Sequence, residues 1–192
     1  MKQTRHLLIA LALGTMLTSC GASVSTATVT GPAAYVDPYI GSGGHGHVFV
    51  GASVPFGAIQ AGPQNIHKGW DWCSGYHHSD SIVIGFAHTH LSGTGCTDMG
   101  DVQIMPYTGE LRSKRGRQED IGGSCSSYYS HDNESVSPGY YSLKMDNGVR
   151  IEMTASTRTA LHRITYPEAE GRRLLINLEE GNGDGAYDTY LR

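Results

Sequence analysis

Residues 140–155 read YYSLKMDNGVRIEMTA, two apolar-rich runs around an Asp-Asn-Gly tripeptide. Asn-Gly suits the positive φ angles of a type I′ turn, so this stretch predicts a β-hairpin with the tripeptide at its tip. In the returning run, 149–155, Val149, Ile151 and Met153 alternate with polar residues. This alternation predicts a strand with one buried and one exposed face.

Other runs on either side of the hairpin have the same strand character. Residues 159–166 and 173–178 are predicted to continue it as an antiparallel meander, and 81–87 (SIVIGFA) and 101–107 (DVQIMPY) are predicted as strands of the first half. Beyond the amino terminus, no stretch shows a sustained 3.6-residue apolar period with helix caps. We therefore predict an all-β domain, an antiparallel β-sandwich of two packed sheets, with long functional loops on the first-half strands.

Composition narrows the class of protein. The chain has 192 residues, enough for one domain with a sizeable core, and a formal net charge of −4. This charge argues against a nucleic-acid partner, which would require a basic surface. The 26 glycines predict many turns and places where the backbone closely approaches another group.

The amino terminus predicts export. A basic start and an apolar run make residues 1–19 a signal peptide, too short to span a bilayer permanently. The sequence Leu-Thr-Ser-Cys that ends at Cys20 resembles the lipobox of bacterial lipoproteins, which implies cleavage before Cys20 and acylation of its sulfur. We expect residues 20–34 to form a flexible tether and 35–192 the folded domain. The expected location is the bacterial cell envelope, periplasmic or surface-exposed, with the membrane contacted through the Cys20 lipid.

Three cysteines remain once Cys20 carries lipid: Cys73, Cys96 and Cys125. At most one intramolecular disulfide can form among them, and the sequence leaves the pair open.

Three glycine-rich clusters carry the residues suited to chemistry: 41–47, 69–78 and 88–96. His45 and His47, like His88 and His90, are two positions apart and would share one face of a strand, which is a metal-binding pattern. No acidic ligand stands at a telling offset, so a transition-metal site is the weaker interpretation. A phosphate loop at 41–47 is weaker still, because it lacks Gly-Lys-Ser/Thr.

A sugar-binding interpretation fits the second cluster better. Trp70 offers a flat apolar face to the C–H side of a pyranose, and the adjacent Asp71 can accept hydrogen bonds from two hydroxyls. Trp72 can be either a contact or a packing residue. We expect Trp70 to be the exposed one because Gly69 precedes it.

Several of these motifs, in order, resemble glycoside hydrolase family 92, the exported calcium-dependent α-mannosidases. The resemblance runs from about Tyr35 to Leu178. It is carried by residues 35–47, 51–57, 69–77, 85–95, 98–101, 137–141, Arg158 and 162–163.

The resemblance implies an amino-terminal β-sandwich, similar to the galactose-mutarotase-like fold, followed by a larger (α/α) barrel. Family members remove mannose with inversion, using two carboxyl groups about 6.5–9.5 Å apart. It implies that these groups and most calcium ligands belong to the barrel. Since the chain stops at Arg192, we expect no barrel, no catalytic residue and no metal ligand in it, and no activity from the fragment alone.

The resemblance also implies partners and site residues. The expected partners are a mannose-containing glycan, such as an N-glycan, and the missing barrel. Trp70 matches the tryptophan that lies against the sugar, and Asp71, His88 and His90 match motif positions near the domain interface, so these four are the predicted substrate-binding residues. Two alternatives remain: a stand-alone surface carbohydrate-binding module, and a metalloenzyme built on the histidine pairs.

Overall fold

The computed structural model describes residues 29–114, 121–167, 170–178, 181–182 and 189–190. The signal peptide, Cys20 and the first part of the predicted tether lie outside these residues. The rest of the tether includes a short 3₁₀ helix, Gly31–Tyr35. Among the described residues, no helix has the length and apolar character needed to cross a bilayer.

The described residues form ten strands. They are β1 (Ala52–Ser53), β2 (Gln60–Asn65), β3 (Ile82–Ala87), β4 (Gln103–Tyr107), β5 (Ser127–Tyr128), β6 (Glu134–Ser137), β7 (Tyr140–Lys144), β8 (Arg150–Ala155), β9 (Ala160–Thr165) and β10 (Arg173–Asn177). The first sheet has the order β1-β2-β3-β4-β10, with β5 also paired to β3, and the second has the order β6-β7-β8-β9. All pairings are antiparallel.

The two sheets face each other across one apolar core. Val149, Ile151 and Met153 are at most 1% exposed, as the alternation predicts, and they share a cluster with Phe86 and Met105 of the first sheet. The all-β sandwich predicted from the sequence is therefore confirmed, and the loops at the strand ends are held by a packed interior.

The predicted hairpin forms between β7 and β8, but its turn is not type I′. That turn needs positive φ at two central residues, and only Gly148 has one (φ 85°), whereas Asn147 does not. The Gly148 amide donates to Met145 O, and the Met145 amide donates to Val149 O, each at 2.9 Å. The result is a three-residue loop with glycine in the left-handed position.

The predicted four-strand meander is wrong in its last strand. β10 leaves the second sheet and pairs with β4 of the first, from Arg173 opposite Tyr107 to Asn177 opposite Gln103. Both sheets have an open edge that would accept an antiparallel strand, and the alternation within β10 fits either one. Its place depends on where the chain runs between β9 and β10, which the strand pattern does not encode.

Strand β2 is not among the strands that the sequence predicts. Gly62 and Pro63 both weaken a strand pattern. The structure nevertheless places Pro63 opposite Phe86 of β3. Gly62 is required there because a Cβ would stand 2.3 Å from Val50 O. β2 thus pairs with β1 and β3 despite its weak strand propensity, and Gly62 permits the close approach of the backbone at Val50.

The buried face of β8 gives a test of the sandwich. Replacing Ile151 by Ala should lower the free energy of unfolding by about 2–5 kcal/mol, because a side chain that is 0% exposed would leave a cavity between the sheets. Lys144→Ala, on the exposed end of β7, should change it by less than about 0.5 kcal/mol. Urea denaturation measures both changes, and equal small effects would contradict the placement of Ile151.

Candidate functional site

Three loops from the glycine-rich clusters contact one another. His45 Nδ1 lies 2.5 Å from Asp71 Oδ1, which joins the first loop to the 3₁₀ turn Trp70–Trp72. Trp70 Nε1 donates to Gly95 O at 2.8 Å, which joins that turn to the third loop. We call this group of His45, His47, Trp70, Asp71 and Gly95 the Trp70 cluster.

Glycine makes the Trp70 cluster possible at two points. A Cβ on Gly46 would stand 2.1 Å from Gly41 O, so the first loop can close this tightly only with glycine there. Gly95 has φ 46°, and a Cβ on it would come within 3.0 Å of the Trp70 indole. These two glycines bring the first and third loops into contact with the tryptophan turn.

The two tryptophans have different environments. Trp70 is 58% exposed, although its indole N–H is fixed by Gly95. Trp72 is partly buried, donates from Nε1 to Asp80 Oδ2 at 2.9 Å, and stacks on His77 with ring centroids 4.3 Å apart. The geometry assigns Trp72 to packing and leaves the Trp70 ring open to solvent, as the preceding glycine predicts.

The carboxylate of Asp71 is hydrogen-bonded to His45 and lies close to His47, the two histidines of the first loop. The hydrogen bond from His45, followed by the contact with His47, lowers the pKa of Asp71. Both contacts go to Oδ1, with His47 Nε2 at 3.5 Å. The Asp71 side chain is 29% exposed beside the open Trp70 ring. An ionised acceptor therefore lies next to an apolar face, an arrangement suited to a sugar hydroxyl.

The second predicted histidine pair, His88 and His90, does not form a shared metal-binding group, because the two imidazoles have different partners. His90 is 2% exposed, stacks on Phe49 and donates from Nδ1 to Gln60 O at 2.7 Å. His88 donates from Nδ1 to Val102 O at 2.6 Å and reaches across to β9 instead. Substrate contact by His88 and His90 stays a prediction. In this conformation His90 is a buried packing residue, in contact with Phe49 and Gln60.

His88 and His162 form a contact that the sequence does not reveal. Their Nε2 atoms are 2.9 Å apart. Because His88 Nδ1 is the donor to a carbonyl, neutral His88 accepts at Nε2 and His162 donates, which leaves His162 Nδ1 buried without a hydrogen-bond partner. Burial, followed by electrostatic repulsion between the two imidazoles, lowers the pKa of His162 to about 4. Burial lowers the pKa of His90 to about 4 as well.

The sequence also misses a cluster of metal-ligating side chains. Among the described residues, one group of three has its donor atoms mutually close: His45, His47 and Asp71, all within 4.8 Å. The spacing of His45 and His47 indicates two of these three ligands. Asp71 is 26 residues from His45, and only folding brings them together.

The three cysteines left open by the sequence are free thiols. Cys73 and Cys125 are buried, and Cys96 is exposed in the third loop beside Gly95.

Comparison with known proteins identifies the family of this domain. The family model described as the glycosyl hydrolase family 92 N-terminal domain matches residues 35–191. The chain belongs to glycosyl hydrolase family 92. The matched segment begins at Tyr35 and includes the whole Trp70 cluster.

Two relatives show how much of a family 92 protein is present. An α-mannosidase of the family, BT3965 from Bacteroides thetaiotaomicron, is 40% identical with a TM-score of 0.76, over 80% of this chain and 21% of its own. A protein from Arthroderma benhamiae described as an uncharacterized secreted glycosidase is 32% identical, over 69% of this chain and 17% of its own. The chain thus spans about a fifth of the length of these relatives.

The calcium ion that the family implies does not fit the cluster. Ca²⁺ takes about six to eight oxygen ligands, usually several of them carboxylates. The group of His45, His47 and Asp71 offers two imidazole nitrogens and one carboxylate. We therefore assign no calcium ligand to these residues.

The two buried histidines predict a pH-dependent stability. An unfolded histidine has a pKa near 6.5, while His90 and His162 have pKa values of about 4 in the folded chain. Between these values the unfolded state binds more protons, so the free energy of unfolding should fall as the pH falls from about 6.5 to about 4. Asp71 and Glu152 have lowered pKa values, and the stability they contribute is lost mainly at the acidic end of this window and below it, as the pH falls through their ordinary pKa values.

Melting temperature against pH measures this effect. His162→Gln keeps a donor toward His88 and should flatten the slope, whereas His67→Gln, at an exposed position, should leave it unchanged. A melting temperature that stays constant across the window would contradict the burial of both imidazoles in neutral form.

Proposed function

We propose that this chain forms the sugar-contacting N-terminal domain of a secreted α-mannosidase that acts on mannose-containing glycans such as N-glycans. The observation that carries the proposal is the Trp70 ring, 58% exposed yet fixed by its hydrogen bond to Gly95. An exposed aromatic side chain that is already fixed in position is a preorganised binding surface, so binding a ligand costs less conformational entropy.

The chemistry of the Trp70 cluster suits a pyranose. One face of the sugar presents C–H groups that can lie on the indole, and the hydroxyls at its edge can donate to the ionised carboxylate of Asp71. The contacts already made by Asp71 both use Oδ1, and Oδ2 takes part in neither. We assign Trp70 the stacking role and Asp71 the orienting role.

Bond cleavage belongs to another part of the protein in this proposal. A structural relative described as an inverting mannosidase, BT2199 from Bacteroides thetaiotaomicron, is 27% identical with a TM-score of 0.62, and this chain covers 20% of it. An inverting reaction uses an acid and a base about 6.5–9.5 Å apart. We propose that these two groups and the ligands of a calcium ion lie in a barrel domain that partners this one.

A second candidate function is a stand-alone carbohydrate-binding module, favoured by the same preformed Trp70 surface. The two candidate functions assign different roles to Trp70. In the first it positions a substrate for cleavage, and in the second binding is the whole activity.

The matching tryptophan in a full-length family member separates them. The change that corresponds to Trp70→Ala should lower kcat/KM for a mannoside about 10–100-fold, because losing a buried apolar face costs about 1.5–3 kcal/mol. The change that corresponds to Tyr128→Ala, which removes an aromatic ring that is 50% exposed on β5, is the matched control and should leave hydrolysis unchanged. Unchanged hydrolysis after the first substitution would refute the stacking role. Mannoside binding by the 192-residue chain in that case would favour the module.

Export and membrane attachment complete the proposal. The relative from Arthroderma benhamiae is described as secreted, which supports a location outside the cytoplasm. The sequence before Cys20 supports acylation of this cysteine. A lipid-held glycosidase would meet large glycans outside the cytoplasm and release sugar close to the cell.

Fractionation after expression in a bacterial host tests the anchor. The wild-type chain should enter the membrane fraction and incorporate labelled fatty acid. Cys20→Ser should abolish the label, whereas Cys96→Ser, at an exposed cysteine of the folded domain, should keep it. Equal labelling of the Cys20→Ser variant and the wild type would rule out acylation at this position.

A further inference from the structure

We propose that His45, His47 and Asp71 form a binding site for a transition-metal dication of the zinc class. The inference goes beyond the proposed function, because it concerns the loops behind the Trp70 ring and needs no sugar. Two imidazoles and one carboxylate are a ligand set that zinc accepts, with a fourth position left for water.

The donor atoms are already close to ligation geometry. One ligand atom from each of His45, His47 and Asp71 lies within 4.8 Å of the other two. Tetrahedral zinc with bonds of about 2.0–2.2 Å places its donors roughly 3.3–3.6 Å apart. His47 Nε2 is 3.5 Å from Asp71 Oδ1, which already meets this spacing. The His45 side chain is 78% exposed and can rotate to open its 2.5 Å contact with Asp71.

One of the three ligand atoms has no hydrogen-bond partner. His47 Nε2 is buried and has no hydrogen-bond partner, although it points toward the Asp71 carboxylate. An unpaired buried polar atom is unfavourable, and such groups in folded proteins are usually satisfied by a partner that includes water or an ion. A metal ion between the imidazole and the carboxylate would use the free lone pair.

The same imidazole is held in place by its surroundings. The Gly93 amide donates to His47 O at 2.6 Å, and the Trp70 ring meets the imidazole edge-on with centroids 4.2 Å apart. His47 also has φ 54°, a conformation that a histidine adopts only when neighbouring contacts enforce it. Two of the three ligands, His47 and Asp71 in its 3₁₀ turn, are therefore preorganised, and the third, His45, is exposed to solvent.

The ligand types select the class of ion. Imidazole nitrogen suits zinc, copper and nickel, whereas calcium and magnesium require oxygen. The expected effect of the ion is mechanical: by joining His45 and His47 to Asp71 it would tie the first loop to the tryptophan turn and steady the Trp70 ring.

Metal titration of the chelator-stripped 192-residue chain tests the site. Calorimetry with Zn²⁺ should give one ion per chain, and Co²⁺ should give the visible absorption typical of a low-coordinate nitrogen and oxygen site. His45→Ala and Asp71→Asn should each weaken Zn²⁺ binding at least about tenfold, because each removes a ligand. An excess of Ca²⁺ should not compete.

Two matched variants separate this site from other zinc ligands. His67→Ala removes an exposed imidazole outside the cluster, and Cys96→Ser removes the exposed thiol of the third loop. Both should bind Zn²⁺ as the wild type does, and circular dichroism should show all variants folded. No stoichiometric binding, or binding that survives both His45→Ala and Asp71→Asn, would overturn the proposal. Because the titration contains no sugar, its failure would leave the role of Trp70 untouched.

Discussion

The packing of two apolar sheet faces against each other is the constraint on which the rest of this domain depends. Phe86 of the first sheet and Tyr141 of the second are both fully buried, with ring centroids 6.5 Å apart, and Ile151 fills the same interior. This contact holds β2 and β3 in place, and the second and third glycine-rich loops follow these two strands. A loop can present functional side chains in a defined geometry only when its ends are held in this way.

On that scaffold, the steric limits of the backbone determine how closely the glycine-rich loops approach one another. Gly46 and Gly95 permit approaches that any side chain would block, and those approaches bring His45 and Asp71 into contact beside the Trp70 ring. The domain thereby combines an exposed aromatic face, an ionised acceptor and a cluster of possible metal ligands within one surface. The family to which the chain belongs includes α-mannosidases about four times its length.

The sequence predicts the features that depend on local pattern, and misses those that depend on distant contacts. Alternation in the hairpin identifies the buried face of β8, and a preceding glycine distinguishes exposed Trp70 from packed Trp72. The sheet that receives β10 is not predictable, because both sheets offer an antiparallel edge. Strand β2 is not predicted either, because Pro63 disfavours a strand and the pairing of β2 with β3 depends on residues distant in the sequence. The contact between His45 and Asp71 spans 26 residues and carries no local signal.

The central claim is that the Trp70 face receives the sugar, and the two indole N–H groups of the chain allow a direct test. Trp70 Nε1 donates to Gly95 O and Trp72 Nε1 donates to Asp80, so each should give its own NMR signal, assigned with a Trp70→Phe variant. The account predicts that the Trp70 signal moves progressively as an α-mannoside is added, while the Trp72 signal stays in place. A Trp70 signal that does not move up to high mannoside concentration, or a shift confined to Trp72, would contradict it.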